Sequence, residues 1–449
     1  MAVKTNVSVN VLNAIRNEAT QDYRKYVPYA ESVADIRAIG AIIMDNTPVY
    51  NEFCYLVNRI SEVKVVSKLF ENPLRAFKKG KVEFGETVEE AFVELISVKE
   101  FDYAKAENEL FKVENPDIRT AFHPLNCTKF YPVTIKRNEV KKAFLSEDGV
   151  ANLVAKIMEK IYTSVNYDEF QIMLYMIGKT LRDGHFYLRE VDELTNDNIA
   201  NITEEILEVS DDFTEMGPEY NLAGVRTHSK KDEQYLVISN KANAKMNVGV
   251  LATAFNMDKA EFMGHKINVK GFGKVDTDRL AELFADDPSY EPLTEAQIEA
   301  LNKVVAVLLD KDWFMVFDNL LEMAEADNGM GLYRNYFYHV WKTFSVSPFS
   351  NAVAFIGATP KVTSVTLSQT TASVSGAGQL ALTASVVTEN FASKAVEWTI
   401  DNTTEGEATV DVRGLVTIRS TAKSGDTIVV TATSVADGTK SASCTITVA

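Results

Sequence analysis

Cysteine is nearly missing from this chain. Cys54, Cys127 and Cys444 are the three in 449 residues, and no two form a CxxC pair. An odd number at wide spacing excludes a disulfide framework and a zinc site, and it predicts a reducing compartment. Histidine is also scarce. The five, His123, His185, His228, His265 and His339, never stand three or four residues apart. That spacing excludes a helical metal pair, and no cofactor is expected. Long apolar runs are missing as well. No stretch reaches the roughly 18 apolar residues that span a membrane. The opening residues carry no signal-peptide core, so synthesis and folding in a cytoplasm are expected. Positive charge is in deficit, with 46 Lys and Arg against 63 Asp and Glu, a formal net charge of −17 and a pI of about 4.9. This excludes a general affinity for nucleic acid or anionic membrane. It leaves room for a protein that sits beside nucleic acid without sticking to it.

Catalytic signatures are absent too. There is no G-x-S-x-G and no Cys/His arrangement with local support. "GFGKVDT" at Gly271 lacks both the gap and the Ser/Thr that a phosphate loop needs, and reads as a tight turn. Glu86, Glu89, Glu90 and Glu94 read as a solvated acidic face.

What is present is enough apolar residue, 46% of the chain, to build more than one core. Residues 1 to about 58 read as an arm with helical stretches, Val11, Leu12, Ile15 and Ala19 standing at helical spacing before Pro28. From 59 to about 135 the pattern is that of an extended loop or long hairpin. A basic island of Lys64, Lys68, Arg75, Lys78, Lys79 and Lys81 lies in it. It reads first as a solvated loop face, then as a contact with an acidic neighbouring subunit, and last as a nucleic-acid surface. Stacking aromatics are sparse there.

Ser146 marks the start of a long helix, with Val150, Leu153, Val154, Ile157, Met158, Ile161 and Val165 on one stripe. The pattern continues to Leu181 before Gly184, roughly 50 Å of helix. Thr294 and Gln297 predict a capping box on a shorter helix. "WFMVFDN" and the stretch Tyr333 to Val346 read as strands of a buried sheet; the aromatic run to Trp341 is better read as core strand than as a ligand cage. From Thr359 the composition turns to Thr, Ser, Val and Ala. Short strand candidates recur, which marks a β-sandwich behind an "IGATP" linker. On residues alone this is an acidic two-domain structural or interaction protein, α+β with an all-β appendage.

Several stretches then match a known pattern: "NPLRAFKKGKVEFGETVEE", "LATAFNM", "DKDWFMVFDNL", "GLYRNYFYHVWKTFSVSPFSNAVAF" and the C-terminal sandwich, in this order. Together they resemble the major capsid protein family of phi-twenty-nine-like short-tailed phages, over almost the whole chain. The resemblance implies a Hong Kong 97 type capsid fold over residues 1–358: an N-terminal arm at 1–58, an extended loop at about 59–100 and a spine helix at about 146–184. An axial domain at about 190–309 and peripheral strands at 310–357 complete it. The tail, 359–449, resembles a bacterial immunoglobulin-like domain of group 2, with Val396, Trp398, Leu415, Cys444 and Ile446 as its core and Gly414 and Val416 at family positions.

The implied function is a virion shell around double-stranded DNA, icosahedral or prolate. The implied partners are the chain itself in pentamers and hexamers, a scaffolding protein, the portal or connector, packaged DNA held non-specifically, and a host surface glycan through the C-terminal domain. The basic island would then hold inter-subunit contacts. The competing reading is a head or tail fibre whose immunoglobulin-like tail binds host carbohydrate. Against it, fibres tend toward repeats, and none is visible.

Overall fold

The computed structural model describes residues 7–59, 70–82, 87–99, 113–145, 149–195, 197–246, 265–375, 377–402 and 408–449, and the chain divides into two units. The first takes Met1–Glu90, Ala121–Ile172 and Phe314–Val346; the second takes Ala91–Thr120, Met173–Trp313 and Ser347–Ala449. The proposed cap at Ser146 and the "LATAFNM" stretch lie outside the described residues.

In the first unit four helices, α1 (Val7–Glu18), α2 (Gln21–Tyr26), α3 (Asp35–Asp45) and α4 (Thr47–Arg59), pack against a sheet. Val11, Leu12, Ile15 and Ala19 are all buried, as their spacing implies. The periodic stretch is nevertheless two helices. Thr20 ends the first and caps the second, its hydroxyl accepting from the Tyr23 amide at 3.3 Å. The same hydroxyl donates to Glu52 at 2.8 Å, which ties the break to α4. Gly40 in α3 lets the next layer approach; a Cβ there would lie 2.5 Å from Phe144.

The sheet runs in the order β1 (Lys78–Lys81), β9 (Phe314–Asn328), β10 (Tyr333–Val346), β4 (Cys127–Lys136). β10 pairs antiparallel with β9 and with β4, and β1 pairs parallel with β9. Side chains alternate along β10. Arg334, Tyr336, Tyr338, Val340 and Lys342 are buried. Tyr336, Tyr338 and Val340 share one core with the four helices and with Ile161 and Val165. The aromatic run is thus a strand with one face in the core, while Phe337 and Trp341 lie on the other face. Ile161 and Val165 belong to a helix of 34 residues, Gly149–Arg182, about 50 Å long.

Two further strands, β2 (Thr87–Val93) and β3 (Ile118–Pro124), form a two-stranded ribbon. It occupies the region whose sequence suggested a projecting loop.

The second unit holds a five-stranded sheet, β5 (Tyr187–Glu190), β11 (Ala352–Ile356), β8 (Val304–Asp310), β6 (Gln234–Ser239), β7 (Lys266–Val269), in that order. β8, "VVAVLLD", is buried at every residue, as a central strand covered on both faces requires. Ile202, Ile206, Val209 and Phe213 on and just after the helix Ile199–Asp212 pack on Leu236, Ile238, Leu308 and Phe355. "GFGKVDT" is a turn, closed by Lys274 N to Gly271 O at 3.1 Å. The helix Glu295–Leu301 carries the Thr294/Gln297 capping box.

The C-terminal segment is all strand. β12 (Lys361–Leu367) pairs with β15 (Ala384–Glu389). β13 (Thr371–Val374), β20 (Ser441–Val448), β19 (Thr427–Ser434) and β16 (Val396–Asn402) form a second sheet, and β14 (Gln379–Ala381), β18 (Leu415–Ile418) and β17 (Ala408–Val410) a third. Among the described residues, the hydrophobic clusters they build contain none from outside the segment. Cys444 and Ile446 are fully buried, Trp398 is half-buried against their cluster, and Val396 is half-buried against Val362, Val365, Ala392 and Ala432. Leu415 differs from its expected core position. On β18 the buried residues are Val416 and Ile418, so strand alternation sends Leu415 to the other face.

Candidate functional site

Three features of the chain could carry contacts. The first is a charge cluster beneath the basic island. Lys78 on β1 turns inward and meets Glu169 at 3.1 Å and Asp318 at 3.0 Å. Lys342 on β10 pairs with the same two carboxylates, lying 3.0 Å from Asp318. The Asn72 amide donates to Glu169 at 2.8 Å, while its oxygen accepts from the Leu74 amide at 2.8 Å. Two cations thus face two anions in a site where Glu169 and Lys342 are almost wholly buried. Burial alone would raise the Glu169 and Asp318 carboxyls, but Lys342 and Lys78 outweigh it and hold both below the ordinary carboxylate value. Burial would lower Lys342, and the two carboxylates reverse that and raise it. The cluster fastens β1 and the segment before it to the long helix and the sheet.

The six basic candidates therefore separate. Lys78 has its partners within its own subunit. Arg75 is exposed and pairs with Glu71 at 3.3 Å. Lys79 is half-buried and Lys81 is exposed. Lys64 and Lys68 lie outside the described residues.

The second feature is the ribbon. Its root is tied by His123, which is buried between Ser345 at 2.8 Å and Glu90 at 3.1 Å. Phe92 stacks on Phe349 with ring centres 5.6 Å apart, and the Arg119 guanidinium donates to the Ala223 carbonyl at 2.7 Å. The segments leading away from it expose apolar side chains. Ile96 is 87% exposed, Val98 96% and Val113 79%; Leu95 is also bare, and so is Phe122 on β3 itself. Bare apolar side chains in such number are costly in water and make this region a candidate contact surface.

The third feature is the face of the long sheet opposite the helices. Phe130 and Trp341 are exposed there, and Phe130 lies 5.9 Å from Phe337.

Glu169, Asp318 and Lys342 were not foreseen from sequence. Parity held the signal for one of them: Lys342 shares the inward phase of Tyr336, Tyr338 and Val340. The apolar ribbon residues were missed as well, because "LISV" is short and lacks a helical or strand period. Among the described residues no group of His, Cys, Asp and Glu is arranged to hold a metal ion.

The family model for the Phi29-like phage major capsid protein matches residues 12–356, and that for the bacterial Ig-like domain of group 2 matches residues 361–446. The major capsid protein of Bacillus phage B103 is 35% identical over 427 residues, covering 93% of this chain and 89% of that protein. The one from Bacillus phage PZA is 33% identical over 417 residues, covering 90% and 87%. In the capsid structure of Staphylococcus phage Andhra, a chain of 15% identity superposes with a TM-score of 0.50 over 67% of this chain and 87% of that one.

Proposed function

Because this chain belongs to the Phi29-like phage major capsid protein family, we propose that it joins its neighbours in the shell through the β2–β3 ribbon. It is a major capsid protein, with the Hong Kong 97 type fold followed by an immunoglobulin-like domain, and its place is the virion shell. Its role there is structural. The ribbon reading rests on one observation, the bare apolar side chains Leu95, Ile96, Val98, Val113 and Phe122. A neighbouring copy covers them, and the exposed sheet face around Phe130 and Trp341 offers an apolar surface to receive them. The two surfaces differ, so each copy uses one and offers the other, and repetition closes into rings. Those rings are pentamers and hexamers.

In this reading residues 1–58 are the arm, about 59–100 the extended loop, about 146–184 the spine helix, about 190–309 the axial domain and 310–357 the peripheral strands, with 359–449 as the appended domain. The chain is made in the host cytoplasm and assembles there on a scaffolding protein around a portal. A net charge of −17 repels the packaged DNA, which keeps it mobile during filling and ejection. Electron microscopy of the chain expressed with its scaffolding protein should show closed shells. Monomers alone would overturn the reading. A glycan array probed with residues 359–449 tests the remaining partner, and specific binding would add host attachment.

A further inference from the structure

We infer that the turn Glu389–Ala392 latches the immunoglobulin-like domain to the body of its own subunit, so that the domain moves with that body and not on a free tether. The "IGATP" linker has the composition of a tether, yet its backbone and side chains are engaged. The Gly357 amide donates to the Lys303 carbonyl at 3.0 Å. The Thr359 hydroxyl donates to Glu190 at 2.6 Å. The turn completes the contact. The Asn390 side-chain amide donates to the Thr359 carbonyl at 2.8 Å, and its oxygen accepts from the Lys303 ammonium at 3.2 Å. Lys303 thus grips the linker with its carbonyl and the domain with its side chain.

The backbone of the turn points the same way. Asn390 and Phe391 both have positive φ, 52° and 61°, and the Ala392 amide closes onto the Glu389 carbonyl at 3.3 Å. Two consecutive left-handed residues make a type I′ turn, which accepts asparagine first but normally takes glycine second. A phenylalanine held there is strained, and strain of this kind persists where the surroundings fix it. Here Asn390 and Phe391 line a cleft with Arg182, Gln297 and Lys303 of the body. No hydrophobic cluster spans the two parts among the described residues; the apolar clusters of the sandwich and of the five-stranded sheet share no residue. Hydrogen bonds are the specific contacts of this attachment, with Ala300, Val386 and Val387 lining the same cleft.

Limited proteolysis of the full chain tests this. Asn390→Gly keeps the left-handed backbone and removes the amide; Lys303→Ala removes the ammonium. Each should speed cleavage within residues 357–360 about tenfold, the effect of losing one or two hydrogen bonds. The melting transition of the domain, followed by calorimetry, should stay where it is in both. Unchanged cleavage in both variants would overturn the latch. So would a lowered domain transition in Asn390→Gly, because the amide would then serve the folding of the domain and not its attachment.

Discussion

Lys342 is a buried cation held by two carboxylates, Glu169 and Asp318. Removing one partner of a buried ion pair typically costs about 3–5 kcal/mol, because an uncompensated charge stays behind. Lys342→Met should therefore lower stability by about that amount, read from urea denaturation. The cluster also sets a pH window. Glu169 and Asp318 have folded values below their ordinary 4.5 and 3.8, so they stabilise above those values and lose the contribution as pH falls through the folded ones. Lys342 has a folded value above its ordinary 10.5, so its contribution is complete below 10.5 and is lost as pH rises past the folded value. The contribution of the cluster should be flat between these limits, and Lys342→Met should weaken the alkaline loss. Lys78→Glu would add a third carboxylate to the same site and should impair folding before it touches assembly. In the C-terminal domain Gly414 is the counterpart. Its φ is +81°, and a Cβ would lie 2.3 Å from the Leu382 carbonyl and 2.7 Å from the Trp398 ring. Trp398→Ala should cost about 3 kcal/mol, the low end for a large aromatic since the ring is half-buried. The domain as a whole holds roughly 5–10 kcal/mol. Calorimetry should show one transition lowered by Trp398→Ala, and by Gly414→Ala, with the body's transition unmoved.

The ribbon is an element whose loss should be felt between subunits. Ile96 and Val98 bury almost nothing within their own chain. Ile96→Ser with Val98→Ser should leave the melting temperature within a degree or so, since exposed substitutions usually change stability by less than about 0.5 kcal/mol. Shells counted by electron microscopy should become rare. Normal shell yield would show that the neighbour is held elsewhere. The exposed cations before and on β1 give a second, weaker case. Arg75→Glu with Lys81→Glu should also spare folding, as surface pairs are worth about 0–1 kcal/mol each. A drop in shell yield that deepens at low salt would identify them as inter-subunit contacts. An unchanged yield would leave them as solvated charges.

For the molecule as a whole, the separate clusters of the sandwich and of the five-stranded sheet bear on truncation. A chain ending at Gly357 keeps β11, the last strand of the five-stranded sheet, and loses the hydrogen bonds of Lys303 and Glu190 to the segment beyond. It should fold, stay soluble and show the body's melting transition. Insoluble product would mean that the two parts fold as one.

Period and composition carried the long helix, the strand Tyr333 to Val346 and the capping box at Thr294, because each depends on neighbours a few residues apart. Local patterning could not show that Lys78 faces inward. Its partners are 91, 240 and 264 residues away in sequence or reached through them, and only the pairing of β1 with β9 and the passage of the long helix bring Glu169, Asp318 and Lys342 together. Leu415 failed for the related reason that alternation defines two faces but not which one is inside; packing against Ile428 and Cys444 chose Val416. The attachment of the C-terminal domain was equally out of reach. A linker of small residues reads as free until the fold places Lys303, Glu190 and Asn390 around it.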